Sequence, residues 1–284
     1  MKFVCVDDGV PAETPNLLRL ACQARDIPFD SVDPRGFEFR EETRLAAGDL
    51  LFRPAVSSAA QRVEQYLYRP GVATFYPAPD DIYFATTNPV LLHERVGLPL
   101  PRNIPCHTKD RAFVRACVDR LGGLPLIVKV MGGSGGVGVM TATTLPALFS
   151  LVDYLYDLGV APYLMAYVDN AVHWRVVVVG DRAVAAYRNT LEEDDFRTYA
   201  GEATEDYFAD VRPDLAELAV RAVGVVRRET GGVDLLEHPS GRIYLLEANF
   251  PCYFPQAQLV AGIDIAGMMV DHLVAKSHAL AGEG

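Results

Sequence analysis

Two apolar segments near the end of this 284-residue chain, Gly232-Val-Asp-Leu-Leu and Tyr244-Leu-Leu-Glu-Ala-Asn-Phe, put three oxygen-bearing side chains into sequence otherwise built to be buried. Both segments have the branched and aromatic character of strands, and Pro239-Ser-Gly241 between them favours chain reversal. The two are expected to pair antiparallel, with Asp234 opposite Glu247. Side chains alternate along a strand, so Glu247 and Asn249 point to one face and Ala248 to the other. Two carboxylates and an amide among apolar residues are costly unless something compensates them. Magnesium, a hard cation that takes one or two carboxylates and shares phosphate oxygens of a ligand, is one compensation. Solvation at the polar end of an edge-strand pair is the other, and spacing alone weighs the two equally.

Half of the residues are apolar, enough in a chain of this length for a large core divided over two or three subdomains. The formal net charge of −11 argues against a nucleic-acid partner, because such binding rests on neutralising phosphates with Lys and Arg. No apolar run approaches the ~18 residues of a membrane span, and Met1-Lys-Phe-Val-Cys-Val-Asp-Asp reaches acidic residues too early for a signal-peptide core. A cytoplasmic protein without a membrane partner is expected. The five cysteines, Cys5, Cys22, Cys106, Cys117 and Cys252, are odd in number and lack Cys-x-x-Cys spacing, which fits reduced thiols. Cys252, the one nearest the motifs, is assigned to packing.

Along the chain, strands and helices alternate early and strands dominate later. Short strands are expected at Phe3 to Val6, Phe29 to Val32, Leu50 to Phe52 and Val72 to Phe75, with helices from Thr14-Pro15 to Arg25 and from Ala59 to Tyr68, a small βαβ-type layer. Asn88-Pro89 opens a short helix to Val96, Leu98 to Pro105 is a connector, and Thr108 caps a helix to Leu121. Strands follow at Leu126 to Met131 and Val137 to Thr141, then a helix capped by Thr144 and strands at 163–168, 173–179 and 182–188. A helix from Asp214 to Glu229, the two ligand strands and a helix from Asp264 to Lys276 complete the order.

Between the strands at Leu126 and Val137 lies Lys129-Val-Met-Gly-Gly-Ser-Gly-Gly-Val-Gly138. Such a loop brings backbone N–H groups close to an anion without Cβ interference, and the lysine adds a point charge. It is not a Walker A loop, since no Gly-Lys-Ser/Thr follows and no helix starts after it. Taken alone it also reads as a mobile turn. Lys129 favours the phosphate reading, because a lysine in an apolar strand needs a partner for its charge.

Taken in order, Lys129, Gly132 to Gly138, Trp174-Arg175 with Val176 to Gly180, Asp195-Phe-Arg197, Gly232-Val-Asp234, Glu247-Ala-Asn249 and Gly262-Ile-Asp-Ile-Ala-Gly267 resemble the ATP-grasp superfamily. Within it the chain is most similar to RimK-like carboxylate-amine ligases, over Gly97 to Ala275. The resemblance implies an α/β chain of α+β subdomains: a preATP-grasp-like N-terminal domain over 1–83, a central subdomain with a glycine-rich lid over 84–162, and a C-terminal subdomain with a metal site over 163–284. It implies ATP and magnesium, with manganese as the alternative ion. A carboxylate then attacks the γ-phosphate to give an acylphosphate, which an amine converts to an amide. The implied partners are small-molecule, amino-acid or peptide-terminus substrates, and, as such relatives often form dimers or tetramers, further copies of the chain.

Roles follow position by position. Lys129 resembles the lysine on the α/β-phosphates, Gly133, Ser134, Gly135 and Gly136 the lid, and Tyr167 and Val168 the hinge whose backbone meets adenine. Asp234, Glu247 and Asn249 resemble the magnesium ligands, and Arg175 and Arg197 the catalytic arginines facing the γ-phosphate and acylphosphate. His173, beside the arginine strand and counted with the nucleotide residues, stands where the family is acidic; Arg188 is one position before a usual arginine. The family's Asp-Lys near the start of the second subdomain is missing from Phe84-Ala-Thr-Thr-Asn-Pro89, and the hinge glutamate is replaced by Ala166. Tyr199 replaces an asparagine, and Pro251-Cys-Tyr-Phe-Pro255 replaces Pro-Gly. Two alternatives stand beside the ligase: a nucleotide-binding or interaction module that has lost catalysis, and an ATP-grasp kinase.

Overall fold

The computed structural model describes residues 1–84, 88–130, 136–191 and 195–282. Its first layer is a parallel sheet of β1 (Phe3–Val6), β2 (Phe29–Val32) and β3 (Leu50–Phe52) in the order β2-β1-β3, with α1 (Glu13–Gln23) connecting β1 to β2 and α2 (Ser58–Leu67) following β3. The expected strand at Val72 to Phe75 reduces to one bridge between Ala73 and Leu50. Its carbonyls are claimed elsewhere: Phe75 O accepts from the Glu229 N–H, and Thr74 O and Tyr76 O both accept from the Lys276 ammonium.

After α3 (Pro89–Arg95), capped by Asn88, comes an antiparallel sheet of β4 (Asn103–Pro105), β5 (Leu126–Lys129), β6 (Val139–Ala142) and β7 (Tyr163–Ala166), in the order β4-β7-β5-β6. The proline-rich connector thus ends in an edge strand, where a missing N–H is tolerated. Helices α4 (Arg111–Leu121) and α5 (Leu145–Asp157) bury Val114, Leu121 and Leu148 against Leu126, Val128 and Leu164. Asp110, not Thr108, caps α4: its carboxylate accepts from the Phe113 N–H at 2.7 Å, while Thr108 Oγ1 accepts from the Asp110 N–H.

The third sheet contains β8 (Val172–Val179), β9 (Arg182–Leu191), β10 (Thr198–Ala200), β11 (Tyr207–Phe208), β12 (Thr230–Glu237) and β13 (Ile243–Asn249), with the path β10-β9-β8-β12-β13 and β11 on β9. The valine run of β8 is explained by burial on both faces. Val176 and Val178 join the core of α6 (Pro213–Val225), whereas Val177 and Val179 join that of α8 (Ile265–Gly282). Helix α6 stops four residues short of expectation, as Arg227 turns to φ 58° and Glu229 leaves to bond Phe75. The sequence reading missed α7 (Pro255–Ala261), which has proline at its first position and stops at Gly262, φ 67°.

The first layer meets the end of β13 at Phe250, beside a buried ion pair of its own. Arg53 Nε donates to Glu64 Oε2 at 2.8 Å, the Tyr76 hydroxyl donates to the same oxygen at 2.8 Å, and Glu64 is 1% exposed. The Phe250 ring, next to Asn249, packs on Tyr76 at 5.4 Å with the Arg53 guanidinium 5.7 Å away. Removing one partner of a buried pair leaves the other uncompensated, so Glu64→Ala is expected to cost about 3–5 kcal/mol in urea unfolding, with Glu64→Gln costing less. A loss for Glu64→Ala under about 1 kcal/mol, typical of exposed pairs, would contradict this account.

Candidate active site

The turn between β12 and β13 is closed by Gly241 at φ 83°, and it sets Asp234 opposite Glu247 and Gly232 opposite Asn249, the pairing expected from its sequence. The register then slips: Asp234 pairs with Glu247 but Leu235 pairs with Leu245, leaving Leu246 as an extra residue. This bulge changes the phase of the strand. Leu245 and Ala248 pack in the core of α6. Glu247 and Asn249 are thereby released to the opposite face, although strict alternation would put Leu245 and Glu247 together. The adjacent leucines before Glu247 were the only trace of the bulge in the sequence.

Asp234 also pairs with Arg175 of β8, and Arg175 with Tyr187 of β9, so one row across four strands reads Tyr187, Arg175, Asp234, Glu247. Asp234 Oδ2 accepts from Arg175 Nη1 at 2.9 Å and from Asn249 Nδ2 at 3.2 Å, while Oδ1 lies 3.2 Å from His173 Nε2. Asn249 Nδ2 also donates to Glu247 Oε1 at 2.8 Å. The same Arg175 nitrogen donates to Gly232 O at 3.2 Å. A Cβ at Gly232 would stand 2.9 Å from Cys252 Cβ and 3.0 Å from Arg175 Nη1, so this position admits only glycine without rearrangement.

Burial raises the Asp234 carboxyl, but the Arg175 guanidinium and His173 outweigh it and hold the group below the ordinary carboxylate value. Burial opposes the charge on Arg175 in turn, and Asp234 more than restores it. Burial also pushes the Cys252 thiol up to about 11 despite Arg175, so it stays protonated at neutral pH.

From the second sheet, Lys129 at the end of β5 forms an ion pair with Glu247 Oε2 across 118 residues of sequence. Arg197 is held at its Nε by Asp195 at 2.9 and 3.0 Å, the Tyr199 hydroxyl donates to the same carboxylate at 3.0 Å, and Arg197 Nη1 reaches Gly136 O at 3.5 Å. Thr198, the next residue, bonds His173 Nδ1. His173 thus links Asp234 to the strand that follows Arg197, a connection the sequence did not reveal. Arg188 lies outside this group, paired with Asp206 at 2.7 Å. Gly133, Ser134 and Gly135 of the expected lid, and Thr86 near the missing lysine, fall outside the described residues.

A narrow, mainly apolar slot between the second and third sheets is lined by Val90, Leu100, Met165 and the bulged Leu246, with Lys129 and Tyr163 at its polar side. Neither Tyr167 nor Val168 lines it; Tyr167 is 41% exposed. Asn88, close to the missing lysine, donates to the Tyr163 hydroxyl at 2.7 Å. Two carboxylates and an amide oxygen form a donor set suited to magnesium. Among the described residues no three His, Cys, Asp or Glu side chains lie together as a metal cluster, and the Asn249 amide bonds both carboxylates through its Nδ2. Lys129, Arg175 and the Asn249 amide occupy the carboxylate lone pairs that a cation would use.

The sequence profile of the RimK-like ATP-grasp domain matches residues 87–273. The ribosomal protein bS6–L-glutamate ligase of Escherichia coli (strain K12 / DH10B) is 30% identical over 201 residues, covering 69% of this chain and 66% of that protein. The chain therefore spans just under two thirds of that relative's length. Among solved structures, ATP-grasp ligase PsnB complexed with minimal precursor, Mg and ADP superposes with a TM-score of 0.71 at 19% identity, covering 97% of each chain. D-cycloserine synthetase DcsG gives a TM-score of 0.74 at 16% identity over 98% of this chain and 100% of the other. These likenesses establish the ATP-grasp fold.

Because the folded-state value of Asp234 is depressed, its pairing stabilises the protein fully above the unfolded value near 4 and is lost as pH falls through the lower folded value. Asp234→Asn is expected to cost on the order of 3 kcal/mol at pH 7. In thermal melts, the gap from wild type should narrow below about pH 4. A gap of constant size down to pH 3 would remove the ion-pair account.

Proposed function

Because this chain belongs to the RimK-like ATP-grasp family, we propose that it is an ATP-dependent ligase joining a carboxylate to an amine through an acylphosphate. The observation that carries the reading is the convergence of Asp234, Glu247 and Asn249 on one face of β12 and β13 with Lys129 directly across the cleft. Magnesium, when bound, is held by those three residues and neutralises phosphate charge.

The rest falls to the chain's own groups. The slot beside Met165 and Leu246 takes the base, and Lys129 takes phosphate oxygens. Arg175 is fixed by Asp234 and Gly232 O, and Arg197 by Asp195, so both guanidinium forks are oriented before a ligand arrives. The substrate carboxylate oxygen attacks the γ-phosphorus and ADP leaves. The amine, its ammonium proton released to solvent, then attacks the acyl carbon; the C–O bond to phosphate breaks, and the second N–H proton leaves with the phosphate. With Cys252 protonated and no other side-chain nucleophile required, the activated carboxyl passes directly to the amine.

The relatives, a glutamate ligase of a ribosomal protein and a ligase complexed with a precursor peptide, support an amino acid or peptide as substrate class. We assign three units, 1–83, 84–162 and 163–284, in keeping with the three sheets. No helix of the described residues is long and apolar enough to cross a membrane, and the net charge of −11 disfavours a nucleic-acid substrate.

Phosphate release from ATP and magnesium should rise when the right pair from an amino-acid and peptide panel is added. Glu247→Gln should lower that turnover by about 100-fold or more. Release that needs a carboxylate but no amine would favour the kinase, and no response to any pair would favour the binding module. Unchanged turnover in Glu247→Gln would remove the metal role.

A further inference from the structure

Among the described residues, the charged groups that a cation or a polyphosphate would use in this cleft are already bonded to one another. Asp234 is taken by Arg175 and His173, and one oxygen of Glu247 by the amide of Asn249. The other oxygen of Glu247 is taken by Lys129, which belongs to a different sheet. This pair is set apart from the rest by where it lies. Arg175, His173 and Asn249 share the third sheet with the carboxylates they bind, whereas the Lys129 contact closes the space between two sheets. The slot beside it has a cavity volume of about 30 Å3, room for a water or two and too little for a purine.

We infer that the Lys129–Glu247 pair is a latch that admits metal and nucleotide together and resists either alone. The inference rests on the nucleotide reading of the site and specifies the form of ligand that opens it.

A divalent cation arriving alone at Glu247 must displace the ammonium, leaving Lys129 without its anion and facing a doubly charged ion. A polyphosphate arriving alone draws Lys129 away and leaves Asp234 and Glu247 facing more negative charge. A metal–nucleotide complex causes neither loss. The cation replaces Lys129 on Glu247, the phosphate replaces Glu247 on Lys129, and every charge ends opposite its complement. The exchange also releases the one ion pair drawn between β5 and β13, so the slot can widen as the complex enters. Such coupling is reciprocal: each ligand raises the affinity for the other by the same factor.

Removing one half of the latch should therefore improve binding of the ligand that the remaining half holds. Binding of Mn2+ without nucleotide can be followed by electron paramagnetic resonance, and binding of AMPPNP in EDTA by calorimetry. Lys129→Met is expected to bind Mn2+ alone about tenfold or more tighter than wild type, and Glu247→Gln to bind AMPPNP alone tighter by a similar factor. Both variants should bind the Mn2+–AMPPNP complex more weakly than wild type. Lys129→Arg, which keeps the pair, should stay near wild type for Mn2+ alone; a gain as large as that of Lys129→Met would count against the latch.

If wild type binds the complex well but neither variant gains for its single ligand, the latch is overturned and the ligase reading stands. If wild type fails to bind the complex at all, the nucleotide reading falls and the latch falls with it.

Discussion

A sheet covered on both faces leaves no solvent in which to place charge, and the third sheet meets this constraint by dividing one of its faces. Along β8 that face carries His173, Arg175, Val177 and Val179 in turn; the two valines enter the core with α8, and the two polar residues meet Asp234. Apolar contact secures one end of the strand, which holds the other end in line. The Arg175–Asp234 pair then acts as the corner of the site. It offsets the upward push of burial on the Asp234 carboxyl, and it fixes the guanidinium against Gly232 O. The bulge at Leu246 completes the division by turning Glu247 and Asn249 toward the polar end while Leu245 stays in the core of α6.

The first layer supports this arrangement from below. Phe250 follows Asn249 directly and is seated on Tyr76 and Phe52, with Arg53 beside it, so the position of the last oxygen donor is coupled to the buried Arg53–Glu64 pair. The second sheet is joined differently. Among the described residues the ion pair Lys129–Glu247 joins it to the third beside an apolar slot, and Arg197 Nη1 reaches Gly136 O. A cleft whose walls meet through exchangeable charge can open without unmaking either core.

Much of this was legible in the residues because local signals and tertiary demands agreed. The turn at Pro239 to Gly241 and the alternation of Glu247, Ala248 and Asn249 sufficed for the facing of Asp234 and Glu247, and Asn88 and Thr144 cap the helices their positions suggested. Disagreement arose where distant groups intervened. Val72 to Phe75 has strand composition, yet its carbonyls go to Lys276 and to the Glu229 N–H, partners some 150 to 200 residues away that no window of sequence contains. Thr108 and Asp110 are both good caps, and the carboxylate wins. The bulge was hidden because two leucines in a row fit either phase, and the role of His173 depends on a strand pairing that brings Thr198 and Asp234 to the same ring.

The apolar cluster that holds Phe3, Leu18 and Phe52 is completed by Met269, Val270 and Leu273 of α8, and Lys276 of that helix bonds Thr74 across 202 residues. On the ribosome this has a consequence in time. The first layer emerges early, but the face of its sheet that α1 covers in part is not closed until α8 has been made, after the whole of the second sheet. Until then the nascent chain exposes the part of that apolar face which α1 leaves open, the kind of surface that chaperones hold and that aggregates when they do not.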